Sequence, residues 1–322
     1  MPDGQTFPNR TLRTADDLIA AGLITPDSRP AITALAARYA IAIPPAFAAL
    51  ITTPDDAIGL QFIPHTAELI TAPHESADPV ADEALSPVPG IVHRYPDRAL
   101  LKPLLACPVY CRFCFRREQV GPDGGLLTQS QLEAAYGYLA AHPGIREVIL
   151  TGGDPLILSP RRLNTILTRL AAILHIEVLR IHTRTPTADP SLITDALADA
   201  LDIPTPLFIA AHINHADELT PAAITAITKL QRRGIPILGQ TVLLAGVNDT
   251  ETTLANLFRA MLRARIKPYY LHQLDPAPGT ARFHVPPERG RELLAKLRGN
   301  ISGTALPTYI LDQPNGRGKV PL

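Results

Sequence analysis

The chain has 322 residues, enough to bury a large core in one α/β domain or in one domain with an appendage. Lys and Arg together number 30, as do Asp and Glu, so the formal net charge is zero. That balance excludes an electrostatic footprint for nucleic acid and a polybasic membrane anchor. The 33 prolines, about twice the usual share, fall mostly at element boundaries (Pro44-Pro45, Pro186, Pro204, Pro206, Pro286-Pro287) and read as punctuation rather than disorder.

Residues 1–90 read as an N-terminal helical region that packs as a cap on the rest. Its opening, Met1-Pro-Asp-Gly, lacks the basic and apolar runs of a signal peptide. Thr14 is a plausible N-cap before Ala15-Asp16-Asp17, and Gly22 a plausible stop. Apolar residues recur at helical spacing after Arg29-Pro30, and Pro44-Pro45 starts another helix. A first barrel strand is expected in the apolar run from Ala99 to Leu105, which leads into a loop carrying every cysteine of the chain.

Downstream, helix-like and strand-like segments alternate. Helices are expected over 129–141, 160–174, 190–200, 221–234, 251–264 and 287–297. A strand and its loop are expected over 146–155 and strands at 177–186, 207–215, 236–244 and 267–275, with a late one at 306–312. This alternation predicts parallel βα units. Six units are too few for a closed eight-stranded barrel. The fold class is therefore α/β, a partial (β/α)6 barrel over 91–285, followed by a C-terminal segment, 286–322. No apolar stretch reaches bilayer length without charge or proline, so no membrane span is expected.

The chemistry starts with Cys107-Pro-Val-Tyr-Cys111-Arg-Phe-Cys114. Three thiolates on one short loop can ligate three irons of a [4Fe–4S] cube and leave the fourth iron open. A zinc site would want a further Cys or His at ligand spacing, and neither His93 nor His142 has it. A disulfide with a spare thiol, or three inert thiols, are the other readings; the odd count argues against the first. Thiols that stay reduced and a cluster sensitive to oxygen place the chain in the cytoplasm. The CxxxCxxC spacing with Phe113 before the last cysteine resembles the signature of radical S-adenosylmethionine (SAM) enzymes.

Thr151-Gly152-Gly153-Asp154-Pro155 follows a strand, and its glycines permit close backbone approach to a ligand. Placed one βα unit after the cysteine loop, it is similar to the radical SAM segment that binds the methionine amino group; alone it is equally an ordinary turn. Lys319 lies in the glycine-rich tail Asn315-Gly-Arg317-Gly-Lys319, which fails as a phosphate-binding loop. Such a lysine can form a Schiff base, for which pyridoxal 5'-phosphate (PLP) is the usual partner, although a solvated tail lysine is the default. Asp275 and Asp312, each at a strand end, are ordinary caps singly and a cation site together.

Jointly these motifs resemble the lysine 2,3-aminomutase family of radical SAM, PLP-dependent enzymes. Its shorter members, which make (R)-β-lysine for elongation factor P, are the most similar. The likeness runs from His93 to Lys319 through His93-Arg-Tyr-Pro-Asp-Arg98, Arg184-Thr-Pro186, His212-Ile-Asn-His215, Gln240 to Asp249, and Lys267 to Asp275. It implies an isomerase with a [4Fe–4S] cluster on Cys107, Cys111 and Cys114, SAM and PLP. Lys319 looks like the Schiff-base lysine, and Arg94, Tyr95 and Arg98 like PLP contacts. Gly152, Gly153, Asp154, His212 and Gln240 look like SAM-side contacts. Arg116 looks like the partner of the substrate carboxylate, and Asp275 with Asp312 like the pair that holds the ε-ammonium of L-lysine. The implied partners are a flavodoxin- or ferredoxin-type electron donor and further copies of the chain in a homo-oligomer.

Three departures stand out. Phe113 occupies a position held by His in the clostridial enzymes, and Thr250 replaces one of their zinc-binding cysteines. Arg317 also adds a charge near the expected PLP site. Arginine as the substrate, or a non-catalytic iron–sulfur or SAM-binding regulator, are the alternative readings.

Overall fold

The computed structural model describes residues 9–314 and 318–322, so Arg317 lies outside the described residues. Nine strands form one sheet in sequence order: β1 Ile91–Tyr95, β2 Arg98–Leu104, β3 Glu147–Gly152, β4 Val178–Thr183, β5 Leu207–His212, β6 Ile237–Val242, β7 Lys267–His272, β8 Thr308–Gln313 and β9 Gly318–Pro321. From β2 to β8 every neighbouring pair is parallel. The six expected barrel strands are β2 to β7, and the late strand joins as a seventh.

Two strands are additions to the pattern read from the sequence. β1 pairs antiparallel with β2 through a tight turn at Pro96-Asp97, and β9 pairs antiparallel with β8. Lys319 thus sits within a strand, opposite Asp312, and not in a free glycine turn.

Helices Gln129–Ala141, Pro160–Ala171, Pro221–Gln231, Glu251–Arg263 and Pro287–Leu297 fall within three residues of their expected bounds. They pack their apolar faces on the outside of the sheet in one continuous core that includes Leu101, Leu139, Leu150, Leu167, Ile209 and Phe258. The periodicity over 190–200 predicts one helix, yet the chain makes a 3-10 turn, Pro190–Leu192, then a helix, Asp195–Ala200. The Thr194 hydroxyl accepts from the Leu197 N–H and starts the second helix afresh.

In the N-terminal region, Thr14 and Asp17 form a capping box on Ala15–Ala20, and Gly22 ends that segment at φ +69°. The helix expected after Pro44-Pro45 is a single turn, Pro45–Ala48. A second apolar cluster, with Leu12, Phe47 and Phe62 at its centre, takes in Val109 of the cysteine loop and Ala188 beyond β4. The region therefore rests on the C-terminal mouth of the barrel. Among the described residues no helix is long and apolar enough to cross a membrane.

Candidate active site

A cavity of about 570 Å³ runs through the barrel. Every residue assigned to a site from the sequence lines it, including all three cysteines, Arg116, Asp275, Asp312 and Lys319.

The cysteine loop begins where β2 ends. Arg112 and Arg117 lie between and just after the cysteines and turn away from the cavity. Both guanidiniums meet Glu68, which has no solvent exposure. Arg112 donates to Glu68 at 2.7 and 3.0 Å and to the Ala40 carbonyl at 2.9 Å. Burial pushes the Glu68 pKa up, but the two arginines outweigh it and hold the carboxyl below its usual range. The loop is thus bolted to the N-terminal region by a buried ion triad, with the Arg112 N–H donating to the Gln61 carbonyl at 2.8 Å.

The two glycines after β3 serve this same loop. Gly152 has φ +108°, and a Cβ there would overlap the Leu104 carbonyl; a Cβ on Gly153 would overlap the Ala106 carbonyl. The N–H groups of Gly153 and Asp154 donate to Leu104 and Ala106, each at 2.9 Å. The close approach anticipated for a ligand is therefore made first to the cysteine loop's own backbone. The Asp154 carboxylate is likewise engaged within the chain. It accepts from the Thr183 hydroxyl and from the N–H groups of Leu156, Arg184 and Thr185.

Among the described residues no three Cys, His, Asp or Glu side chains converge on a point that a single ion could occupy. A cluster needs no such point, because each thiolate takes a different iron. The three free thiols fit that group and disfavour one zinc ion. Burial raises all three pKa values, that of Cys114 to about 11, so loading the site must expel protons.

Neighbouring strands carry a row of imidazoles and one amide: His182 on β4, His212 on β5, Gln240 on β6 and His272 on β7. His212 pairs in register with Gln240, and His272 Nε2 lies 3.2 Å from Gln240 Oε1. Burial, reinforced by nearby cations, lowers all three histidines, His272 to about 3. They are neutral at physiological pH. His182 Nε2 is buried without a hydrogen-bond partner among the described residues, so the cavity holds an unused polar atom. Phe113 meets His212 edge-on at 5.6 Å.

The far side of the cavity is built by the strands at the two ends of the sheet. Lys319 Nζ donates to Asp312 at 2.6 Å, and Arg94 of β1 pairs with the other oxygen of the same carboxylate. The Tyr95 hydroxyl accepts from the Lys319 N–H at 2.7 Å, with Arg98 stacked over its ring. Gly318 has φ +79°, and a Cβ there would overlap Tyr95. Burial raises the Asp312 pKa, yet Lys319 and Arg94 reverse this and hold it down. Asp275, just beyond β7, has no ion pair or side-chain hydrogen bond among the described residues, and burial beside Asp312 lifts it from 3.8 to about 7. Arg116 Nε donates to the buried Asp82 at 2.8 Å, with Lys102 3.8 Å from the same oxygen.

Asp82, His182, His272 and Arg184 line the cavity without having been singled out from the sequence. Parity along β4 places Arg180 and His182 on one face, which was a signal for His182. Asp82 sits in an irregular segment with no such pattern.

Parallel strands around a cavity, with three cysteines on the loop after the first of them, define a radical SAM enzyme. The radical SAM superfamily model matches residues 101–258. Streptococcus suis SuiB bound to S-adenosylmethionine shares the fold at TM-score 0.51 and 12% identity, over 68% of this chain and 51% of that one. This chain therefore spans about half the length of that protein. Superfamily members hold a [4Fe–4S] cluster and SAM. The chain is 39% identical to a putative L-lysine 2,3-aminomutase of Aquifex aeolicus over 93% of its length and 82% of the relative's. It is 40% identical to the L-lysine 2,3-aminomutase of Escherichia coli, over 84% of this chain and 78% of that one. It is 35% identical to the glutamate 2,3-aminomutase of Clostridioides difficile, over 93% and 71%. The chain belongs to the lysine 2,3-aminomutase family, whose members are isomerases.

Proposed function

We propose that the chain moves the α-amino group of L-lysine to C3, giving β-lysine, with PLP carried by Lys319. The carrying observation is Asp275, a half-buried carboxylate in the cavity with no ion-pair partner among the described residues. Lysine brings the missing charge at the end of its side chain. Glutamate would bring a second anion, which argues against that substrate although a glutamate 2,3-aminomutase is among the relatives at 35% identity.

When bound, the cluster and SAM supply homolytic cleavage of an unactivated C–H bond, and PLP supplies a π-system over which spin delocalises. The residues of the chain then divide the remaining work. Cys107, Cys111 and Cys114 hold the cluster. The backbone around Gly152, Gly153 and Asp154, with neutral His212 and Gln240, positions SAM. Arg94, Tyr95, Arg98 and Lys319 hold PLP, with Tyr95 fixing the Lys319 backbone. Arg116 binds the substrate carboxylate. Asp275 and Asp312 take the ε-ammonium, which fixes the distance from that end of lysine to the reacting carbons. Placed together in the cavity, this set limits the water at the reacting carbons.

We assign the product to modification of elongation factor P, by similarity to the shorter members of the family, and electron supply to a flavodoxin- or ferredoxin-type donor. An intact-mass comparison of elongation factor P from cells with and without the enzyme tests the first assignment.

The activity is tested anaerobically on reconstituted protein with SAM, PLP, a chemical reductant and L-lysine, scored for β-lysine by mass spectrometry. Lys319→Ala is expected to lose all turnover and the visible PLP absorbance while keeping its iron. Cleavage of SAM without β-lysine would overturn lysine as the substrate, and full activity in the alanine variant would overturn the role of Lys319.

A further inference from the structure

The residue after β4, Arg184, lines the cavity and is fixed from several sides. Its N–H donates to Asp154 Oδ2 at 2.7 Å. One terminal nitrogen donates to Gln61 Oε1 at 2.6 Å and to Glu218 Oε2 at 2.9 Å. The guanidinium lies over the Phe62 ring at 4.7 Å, with Phe47 and Phe113 within 5.6 Å. Glu218 is itself fixed, accepting from the N–H groups of Asn214 and His215 at 2.9 and 3.0 Å. The other terminal nitrogen points at Cys111 Sγ from 3.0 Å, and Nε has no partner among the described residues. Among the described residues neither Cys107 nor Cys114 has a side-chain donor.

We propose that Arg184 sets the reduction potential of the cluster through Cys111, and that Glu218 partly offsets it. The inference rests on the assignment of the cluster to the three cysteines. Reduction from the 2+ to the 1+ state adds one electron, supplied by an external low-potential one-electron donor, with no proton taken up. The added negative charge spreads onto the sulfur ligands. A fixed cation hydrogen-bonded to one of them favours the reduced state, and an anion just behind it opposes. The surroundings are aromatic and dry, so neither charge is screened as it would be in water. The three-way hold on the guanidinium means that it does not have to reorganise when the electron arrives.

The test is a redox titration of the anaerobically reconstituted full chain, read by the EPR signal of the reduced cluster, with iron and sulfide counted on every sample. Arg184→Met should retain iron and sulfide and titrate at a lower potential. Arg184→Lys, which keeps the charge, should return most of the way to wild type. Glu218→Gln, which removes the opposing charge, should move the potential up. Opposite signs from two neighbouring residues are not what loosened packing would give. If Arg184→Met fails to load, the signs of the other two variants decide the matter. A loaded Arg184→Met at the wild-type potential, or variants that all shift one way, would overturn this inference alone. A wild-type chain that takes up no iron would overturn the cluster assignment with it.

Discussion

Replacing Asp275 with Asn separates what this carboxylate costs the fold from what it does for binding. Its pKa is lifted from 3.8 to about 7, first by burial and then by Asp312. The folded protein therefore binds that proton more tightly than the unfolded chain does. The stability this carries is complete below about pH 4 and is lost as the pH rises through about 7. Above that, a shift of this size corresponds to at most about 4 kcal/mol, which water in the cavity lessens. Asparagine cannot ionise, so Asp275→Asn should raise the melting temperature of the lysine-free protein at pH 8, by a margin that shrinks on acidification. The same change removes the charge-assisted contact to the ε-ammonium, worth about 1.5–3 kcal/mol, or on the order of 10- to 150-fold in KM for lysine. In the wild type, lysine must displace a proton below pH 7, so its KM should rise up to about tenfold per unit there. In the variant this dependence should vanish. Anaerobic initial rates from pH 6 to 9, with thermal melts of the same samples, measure both effects. A variant that binds lysine as tightly as wild type at pH 8.5, or that keeps the pH dependence, would refute the reasoning.

Glu68→Gln leaves Arg112 and Arg117 buried against a neutral amide, a loss of about 3–5 kcal/mol. It should appear as a lower melting temperature and poorer iron retention, and an unchanged melt would count against the triad. Gly153→Ala drives a methyl group into the Ala106 carbonyl; most of the iron should be lost, and a fully loaded variant would contradict that account. Asp82→Asn weakens the hold on Arg116 and should raise the KM for lysine about tenfold, a loss of about 1–1.5 kcal/mol, with iron content unchanged. Loss of iron instead would make Asp82 a support of the cysteine loop.

The barrel strands were legible because each carries its signal locally, in an apolar run closed by a turn residue. β1 and β9 were not. β1 is masked by polar His93, Arg94 and Tyr95, of which the last two line the cavity while His93 meets Tyr138 on the outer helix, and β9 is four residues long and rich in turn formers. The cysteine motif was legible because spacing and residue type limit what three thiols can do, whereas Lys319 stood out only through the family resemblance, a solvated tail lysine being the default on its own residues. Glu68 and Arg184 were not, because their meaning lies in partners between 34 and 123 residues away. The glycines of Thr151-Gly-Gly-Asp154 were recognised as a close-approach site, but no sequence pattern says which backbone approaches.

Among the described residues the two ends of the sheet meet on one side of the cavity without a backbone ladder between them. They are joined by the Arg94–Asp312 ion pair and by the Tyr95–Lys319 hydrogen bond. A ladder would have to lose several hydrogen bonds in concert to open; this junction loses one ion pair and one hydrogen bond. The wall of the barrel thus has a zip line, and its fastenings are the groups that grip one end of the cavity. Whatever parts that line also moves Lys319, the proposed carrier of PLP, out of register. Opening the barrel along this line and keeping Lys319 in place therefore exclude each other.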